Sequence, residues 1–243
     1  MGVESKPISW NRLLVDICIQ RDFLDTGAIL QVANRSSLLP NLEKIFTWVQ
    51  EQFLPVFSSV ESHRPTEPLK GFPLHCIDGT PGQQKLPLSL LSPRIIVETD
   101  NCLSLPPGLR QNYRQLIFRK RAREVLSNPK ADRFLTQLEA DEFIIFGVGL
   151  ERAIRCLALA MIARHKNVTV ISDACGYWSS GDADLALRQL EAKGIRLVTT
   201  SELTAPPARK RQPVKRRSAR QRPLSAVVAS TPARHVGSKI NEA

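Results

Sequence analysis

Apolar residues alternate along the chain between two periodicities. Residues 12–19 (RLLVDICI) form a nearly unbroken apolar run with β-branched side chains, the pattern of a strand buried on both faces of a parallel sheet. Residues 42–53 switch to helical spacing, with Leu42, Ile45, Phe46, Val49 and Phe53 on one side. A second strand is predicted over 55–60, and shorter ones over 94–99 and 115–119. The later part of the chain repeats the alternation more regularly. It reads as a helix over 129–138 opening on a proline, a strand over 143–148 and a helix over 151–164. A strand over 168–172, an amphipathic helix over 182–193 stopped by Gly194, and a last strand over 195–199 follow. Strands alternating with helices predict an α/β fold with a doubly wound, mainly parallel sheet. Ligands of such sheets sit at the carboxyl ends of strands. The informative residues should therefore lie at 18–22, 61–75, 120, 147–153 and 173–177.

Two segments break this rhythm. Residues 61–93 are rich in Pro, Gly and polar residues, a long loop of the kind that carries function in a compact domain. From 205 onward the composition changes altogether. Residues 205–243 hold ten Lys or Arg against the single acid Glu242, a net of +9 out of the chain's +11. The folded part is therefore nearly neutral. The segment 205–223 lacks the apolar surface needed to offset ordering entropy, so a disordered basic tail is expected. The predicted organisation is an N-terminal extension (1–11), one domain (12–204) and that tail (205–243). Arg209, Lys210, Arg211, Lys215, Arg216 and Arg217 suit attraction to the phosphate backbone of nucleic acid or to another polyanion, without base reading. The tail contains no Phe, Tyr or Trp to stack on single strands.

Among the 243 residues, apolar runs fall short of the roughly 20 a membrane helix needs, and the N-terminus lacks a secretory pattern. Five cysteines, an odd number without framework spacing, argue against a disulfide scaffold. A cytoplasmic protein with reduced thiols and no membrane partner is expected.

Four segments, in order, resemble the isochorismatase-like cysteine hydrolases, the superfamily that includes nicotinamidases. They are LLVDICIQRDFLDTGAI (13–29), ESHRP…FPLHCIDGTPGQQKLP (61–87), LIFRK (116–120) and FGVGLERAIRCLALAMIARHKNVTVISDAC (146–175). Each motif alone is weak; their order and spacing carry the resemblance. It implies a three-layer α/β sandwich and a Cys-Asp-Lys triad. In that chemistry a thiolate attacks an amide-type carbonyl, a carboxylate moves the proton and a lysine supports both charges. It also implies a homo-oligomer.

The chain departs from that pattern. On the register fixed by Asp22, the family's aspartate falls on Cys18. On the register fixed by Val168, its cysteine falls on Ala153. The lysine is retained as Lys120. A methyl group cannot attack a carbonyl, so the standard mechanism is absent on this reading. Cys18 near Lys120 is a candidate relocated nucleophile, against the simpler reading of a buried small apolar filler. Asp16 projects to the same face as Cys18, about 6.6 Å deeper at strand rise. Cys156 becomes the nucleophile only if the register is wrong by three residues. Asp16, Gln20, Asp22, Gly149, Leu150 and Arg152 are the candidate ligand-binding residues. Lys120, Arg152 and the helix N-terminus together suit a small anion.

Nicotinamidase-like members bind a divalent metal through Asp-x-His and the His before Cys, so the resemblance implies Glu61, His63 and His75 as ligands. A carboxylate and two imidazoles suit an ion such as zinc; no cofactor is implied with certainty. Two functions compete. One is a catalytically impaired family member that keeps a pocket for a small molecule and a polyanion-binding tail. The other is a divergent hydrolase of a small amide, imide or vinyl ether, using Cys18 or a metal-bound water.

Overall fold

The structure is a computed structural model that describes residues 8–69, 71–100 and 102–206. Residues 207–243 of the predicted basic tail lie outside the described residues, as do residues 1–7 of the N-terminal extension. Of that extension, Trp10 packs edge-on against Phe134 at 5.8 Å, and its indole N–H donates to the Arg110 carbonyl at 3.0 Å.

Seven strands form one sheet: β1 (Arg12–Ile17), β2 (Val56–Glu61), β3 (Arg94–Val97), β4 (Gln115–Lys120), β5 (Glu142–Val148), β6 (Val168–Gly176) and β7 (Arg196–Val198). Their order is β3-β4-β2-β1-β5-β6-β7, and every pairing is parallel. β1 is central because its side chains are apolar on both faces: Leu13, Leu14, Val15 and Ile17 are all fully buried. Phe143, Ile144, Ile145 and Phe146 do the same for β5. Among the described residues, seven α-helices accompany the sheet: α1 (Arg21–Leu24), α2 (Arg35–Glu51), α3 (Leu109–Asn112), α4 (Pro129–Gln137), α5 (Arg155–Ile162), α6 (Ser180–Ala192) and α7 (Thr200–Thr204). α2 packs on β6 and α7, and α5 on α6. No helix among the described residues is long and apolar enough to cross a membrane.

Three local differences from the predicted elements have physical causes. α2 begins at Arg35 and carries Pro40 inside it, whereas the apolar spacing starts only at Leu42. Its N-terminus is held by tertiary bonds: the Asn34 amide donates to the Cys175 carbonyl at 3.0 Å and accepts from Tyr177 N–H at 3.1 Å. The helix predicted from 151 opens as a π-helical turn, Leu150–Ile154, before becoming α5. β6 runs to Gly176, four residues past the predicted end, because its far half pairs with the end of β5 through a register shift.

The chain order reverses across β1, which lies between β2 and β5. This is the switch point at which such sheets open a crevice. Cys18, Glu61, Lys120 and Gly149 all lie at or just beyond strand carboxyl ends bordering it. Among its described residues, the 62–93 segment holds only two short 3₁₀ turns, Pro81–Gln83 and Pro87–Ser89. A single bridge, Gln20 with Lys85, ties it to the end of β1, and a second, His63 with Ile77, joins two parts of the segment itself.

Candidate functional site

The site is organised around one carboxylate. Glu61 ends β2, directly opposite Lys120 at the end of β4. Its Oε1 accepts from Lys120 Nζ at 2.8 Å and from the Cys18 thiol at 3.7 Å. Its Oε2 lies 3.1 Å from His63 Nε2 and 2.9 Å from His75 Nε2. Burial alone would raise the Glu61 carboxyl; the Lys120 ammonium and the hydrogen bonds from both histidines overcome it and hold it well below the usual carboxylate range. Burial likewise opposes the Lys120 charge, and Cys18 and Glu61 beside it together reverse the outcome, so its pKa is raised. Lys120 is 1% exposed and also donates to the Ala122 carbonyl at 3.1 Å.

Cys18 stands where β1 turns into α1, with a left-handed backbone (φ 51°) that a non-glycine residue adopts only under local constraint. Burial pushes its thiol up to about 12, so it rests protonated despite Lys120 nearby. Gln20 fixes the same corner: its amide donates to the Glu61 and Gln83 carbonyls, both at 2.8 Å, and accepts from Glu61 N–H at 2.7 Å. Asp22 accepts from Cys76 N–H at 2.6 Å, fastening the His75–Cys76 loop. A Cβ at Gly82 would lie 2.0 Å from the Asp22 carboxylate, so only glycine lets the loop approach this closely.

The opposite wall comes from the end of β5. The Val148–Gly149 peptide is cis. A Cβ at Gly149 would meet the Trp178 ring at 2.4 Å, so glycine is required for that indole to pack here. The π-helical turn then presents Ala153 to the cavity. The space enclosed is about 280 Å³, with Cys18, Glu61, His63 and His75 at its base. Phe23, Phe72, Trp178 and Ala153 form apolar walls, and Arg121, Arg123 and Arg152 are also in the lining.

Of the candidate residues, Cys18, Ala153, Gly149, Arg152, Glu61, His63 and His75 line this cavity. Lys120 sits directly behind Glu61. Gln20 and Asp22 brace the walls, and Leu150 is buried beneath them. Asp16 is placed elsewhere: it is fully buried, paired with Lys85 at 2.6 Å and Ser58 at 2.5 Å. Cys156 is not among the cavity-lining residues. Sequence reasoning missed Arg121, Arg123, Phe72 and Trp178. The two arginines directly follow Lys120 at a strand end, a signal that was available; Trp178 lies one residue past the window after β6. Phe72 falls inside the 61–75 stretch but was not singled out within it.

The ligating atoms of Glu61, His63 and His75 all lie within 4.8 Å of one another. His75 Nδ1 bonds the Pro73 carbonyl at 2.8 Å, which turns its Nε2 toward the carboxylate. A carboxylate plus two converging imidazole nitrogens, one of them oriented from behind, is a donor set that fits a divalent cation and leaves a position open.

A family model for the isochorismatase domain matches residues 12–202. No curated protein sequence matches the chain. Among solved structures, pyrazinamidase of Pyrococcus horikoshii in complex with zinc superposes with a TM-score of 0.62 at 20% identity, covering 78% of this chain and 99% of that one. Nicotinamidase of Bacillus subtilis gives 0.63 at 15% identity, over 77% and 99%. PnC1 from L. infantum in complex with nicotinate gives 0.59 at 16%, over 81% and 96%. At these identities the structural likeness speaks for the fold, and the family model covers nearly all of the folded chain. The chain belongs to the isochorismatase family.

Proposed function

We propose that this protein binds a small molecule in the cavity beside Ala153 and does not turn it over by thiol attack. The observation that carries this reading is the methyl group of Ala153, which faces the cavity from the helical turn after the cis peptide, where the family resemblance places the attacking sulfur. The cavity itself is kept, with aromatic walls and polar groups converging at its base, the general form of a small-molecule site. Glu61, His63 and His75 would hold a divalent cation such as zinc. A cation there would supply Lewis acidity toward a carbonyl oxygen. The chain's own residues orient that set: Gln20 holds the Glu61 backbone, Pro73 sets the His75 ring, and Lys120 balances the carboxylate. The basic segment 209–217 would attach the protein to a polyanion.

A second reading has a specific observation in its favour. The Cys18 thiol shares Glu61 Oε1 with Lys120, so a thiol, a carboxylate and an ammonium do meet, in a rearranged order. In a divergent hydrolase Cys18 would attack the amide and Glu61 would accept its proton. The experiment is ammonia release from nicotinamide and pyrazinamide by full-length protein, alongside ligand-induced shifts in melting temperature. The proposed reading expects melting shifts with no release above buffer. Sustained release that disappears in Cys18→Ala would overturn it and establish the second.

A further inference from the structure

Charge bookkeeping around the cavity leaves two cations over. Arg121 is neutralised by Asp78 at 3.1 Å and also donates to the Ser62 carbonyl at 2.9 Å. Of the lining acids, Glu61 is engaged by Lys120 and the histidines. Glu67 accepts from Arg64 N–H at 3.0 Å and lies 3.6 Å from His63 Nδ1. Arg123 and Arg152 have neither an ion pair nor a side-chain hydrogen bond among the described residues. They are instead held on rings: Arg152 lies 4.0 Å from the Phe72 centroid and 5.0 Å from that of Trp178, and Arg123 lies 5.5 Å from Phe72.

Arg152 is half-buried and Arg123 exposed, and neither is ion-paired among the described residues. Burial lowers the pKa of Arg152, and the nearby Arg123 charge lowers it further. Glu151 offsets part of this but forms no ion pair with Arg152: its Oε1 accepts from Trp178 N–H at 2.8 Å and Ser179 N–H at 3.3 Å. Stacking on an aromatic face orients a guanidinium but leaves its N–H edge unspent. That edge is the part that grips a carboxylate or phosphate in bidentate fashion. Two such edges beside one cavity call for two negative charges on one group.

We infer that Arg123 and Arg152 form a clamp for a dianionic head, and that the ligand is a small planar ring carrying a phosphomonoester. The ring lies against Phe23, Phe72 and Trp178, and the phosphate bridges the two guanidinium groups. The cavity of about 280 Å³ limits the ring portion to roughly one ring system. This inference rests on the pocket-binding reading and names its ligand class.

The test uses three ligands of one ring size and falling charge: phenyl phosphate, benzoate and benzamide. Each is titrated calorimetrically into full-length protein with a chelator present, so that no metal recruits the anion. Phenyl phosphate should bind at least about tenfold more tightly than benzoate, and benzamide most weakly. Arg123→Gln and Arg152→Gln should each cost phenyl phosphate about tenfold and leave benzamide unchanged. Arg123 is exposed, so its variant keeps the test valid if Arg152→Gln fails to fold. Equal affinity across the series overturns the clamp and leaves the pocket reading standing. A phosphate preference that survives both substitutions belongs to the basic tail and also overturns the clamp. Failure of all three ligands to bind overturns both.

Discussion

Replacing Glu61 by Gln should be the most disruptive conservative change in the molecule. The substitution keeps the volume and one oxygen, but it removes the counter-charge 2.8 Å from an ammonium that is 1% exposed. Lys120 would keep only neutral acceptors, the Ala122 carbonyl and the amide oxygen of the new side chain. Breaking a buried ion pair from one side costs about 3–5 kcal/mol, because the surviving charge stays desolvated. For a domain of this size, that corresponds to a fall of roughly 6–20 °C in melting temperature. The measurement is denaturant unfolding in the presence of chelator, with parent, Glu61→Gln, Lys120→Met and the double variant compared at equal m-value. With Lys120 already replaced, the same Glu61→Gln change should cost at least about 2 kcal/mol less, since no stranded ammonium remains. A single-variant cost below about 1 kcal/mol, or an equal cost in both backgrounds, would refute the claim that Glu61 is the charge hub of the site.

Further expectations follow from the same geometry. With Cys18 held near 12 by burial, roughly three thiols in 10⁵ are ionised at pH 7.5. Mass-resolved alkylation at neutral pH should therefore label Cys102 first: it is exposed, and its pKa is lowered by the hydrogen bonds with Ser104. Fast labelling of Cys18 that is lost in Lys120→Ala would contradict this order. Zinc added to metal-free protein should raise its melting temperature, by an amount equivalent to about 2.7 kcal/mol at a hundredfold excess over the dissociation constant; His63→Ala and His75→Ala should each abolish the rise. Removing residues 205–243 should eliminate salt-sensitive retention on DNA or RNA columns while leaving the melting curve in place, and equal retention of both forms would count against the tail as a polyanion binder.

The fold was legible because its strands are buried on both faces. Runs such as residues 12–19 and 143–148 have no polar face to confuse them with amphipathic helices, and Gly194 and Pro129 mark element ends by local chemistry alone. What escaped was set by partners distant in sequence. The start of α2 depends on Asn34 reaching Cys175 and Tyr177, which no window around residue 34 contains. The site residues at strand ends were readable by position. The role of Glu61 was readable only in part: the resemblance marks it as a metal ligand, while its bond to Lys120 requires knowing that β2 and β4 are neighbours in register. Asp16 shows the reverse error. Shared strand parity placed it with Cys18, yet Lys85, brought in by the long loop, takes it up as a structural pair.

The two departures from the family pattern at Cys18 and Glu61 make physical sense together. Losing a carboxylate at the end of β1 would strand the ammonium of Lys120 in a buried site, which is not tolerated cheaply. The extra methylene of Glu61 lets one side chain reach further. One oxygen takes Lys120 and the other keeps the two histidines. The carboxylate that faces Lys120 is thus supplied from the end of β2, while a thiol stands at the end of β1. On the proposed reading, Ala153 stands where the resemblance implies the sulfur that such a charge balance would serve. On the proposed binding reading, the charged Lys120, the oriented His75 ring and the loop held by Asp22 against Gly82 would keep the pocket in shape for a ligand. The proposed clamp would put that ligand's contacts on the aromatic wall and the two arginines.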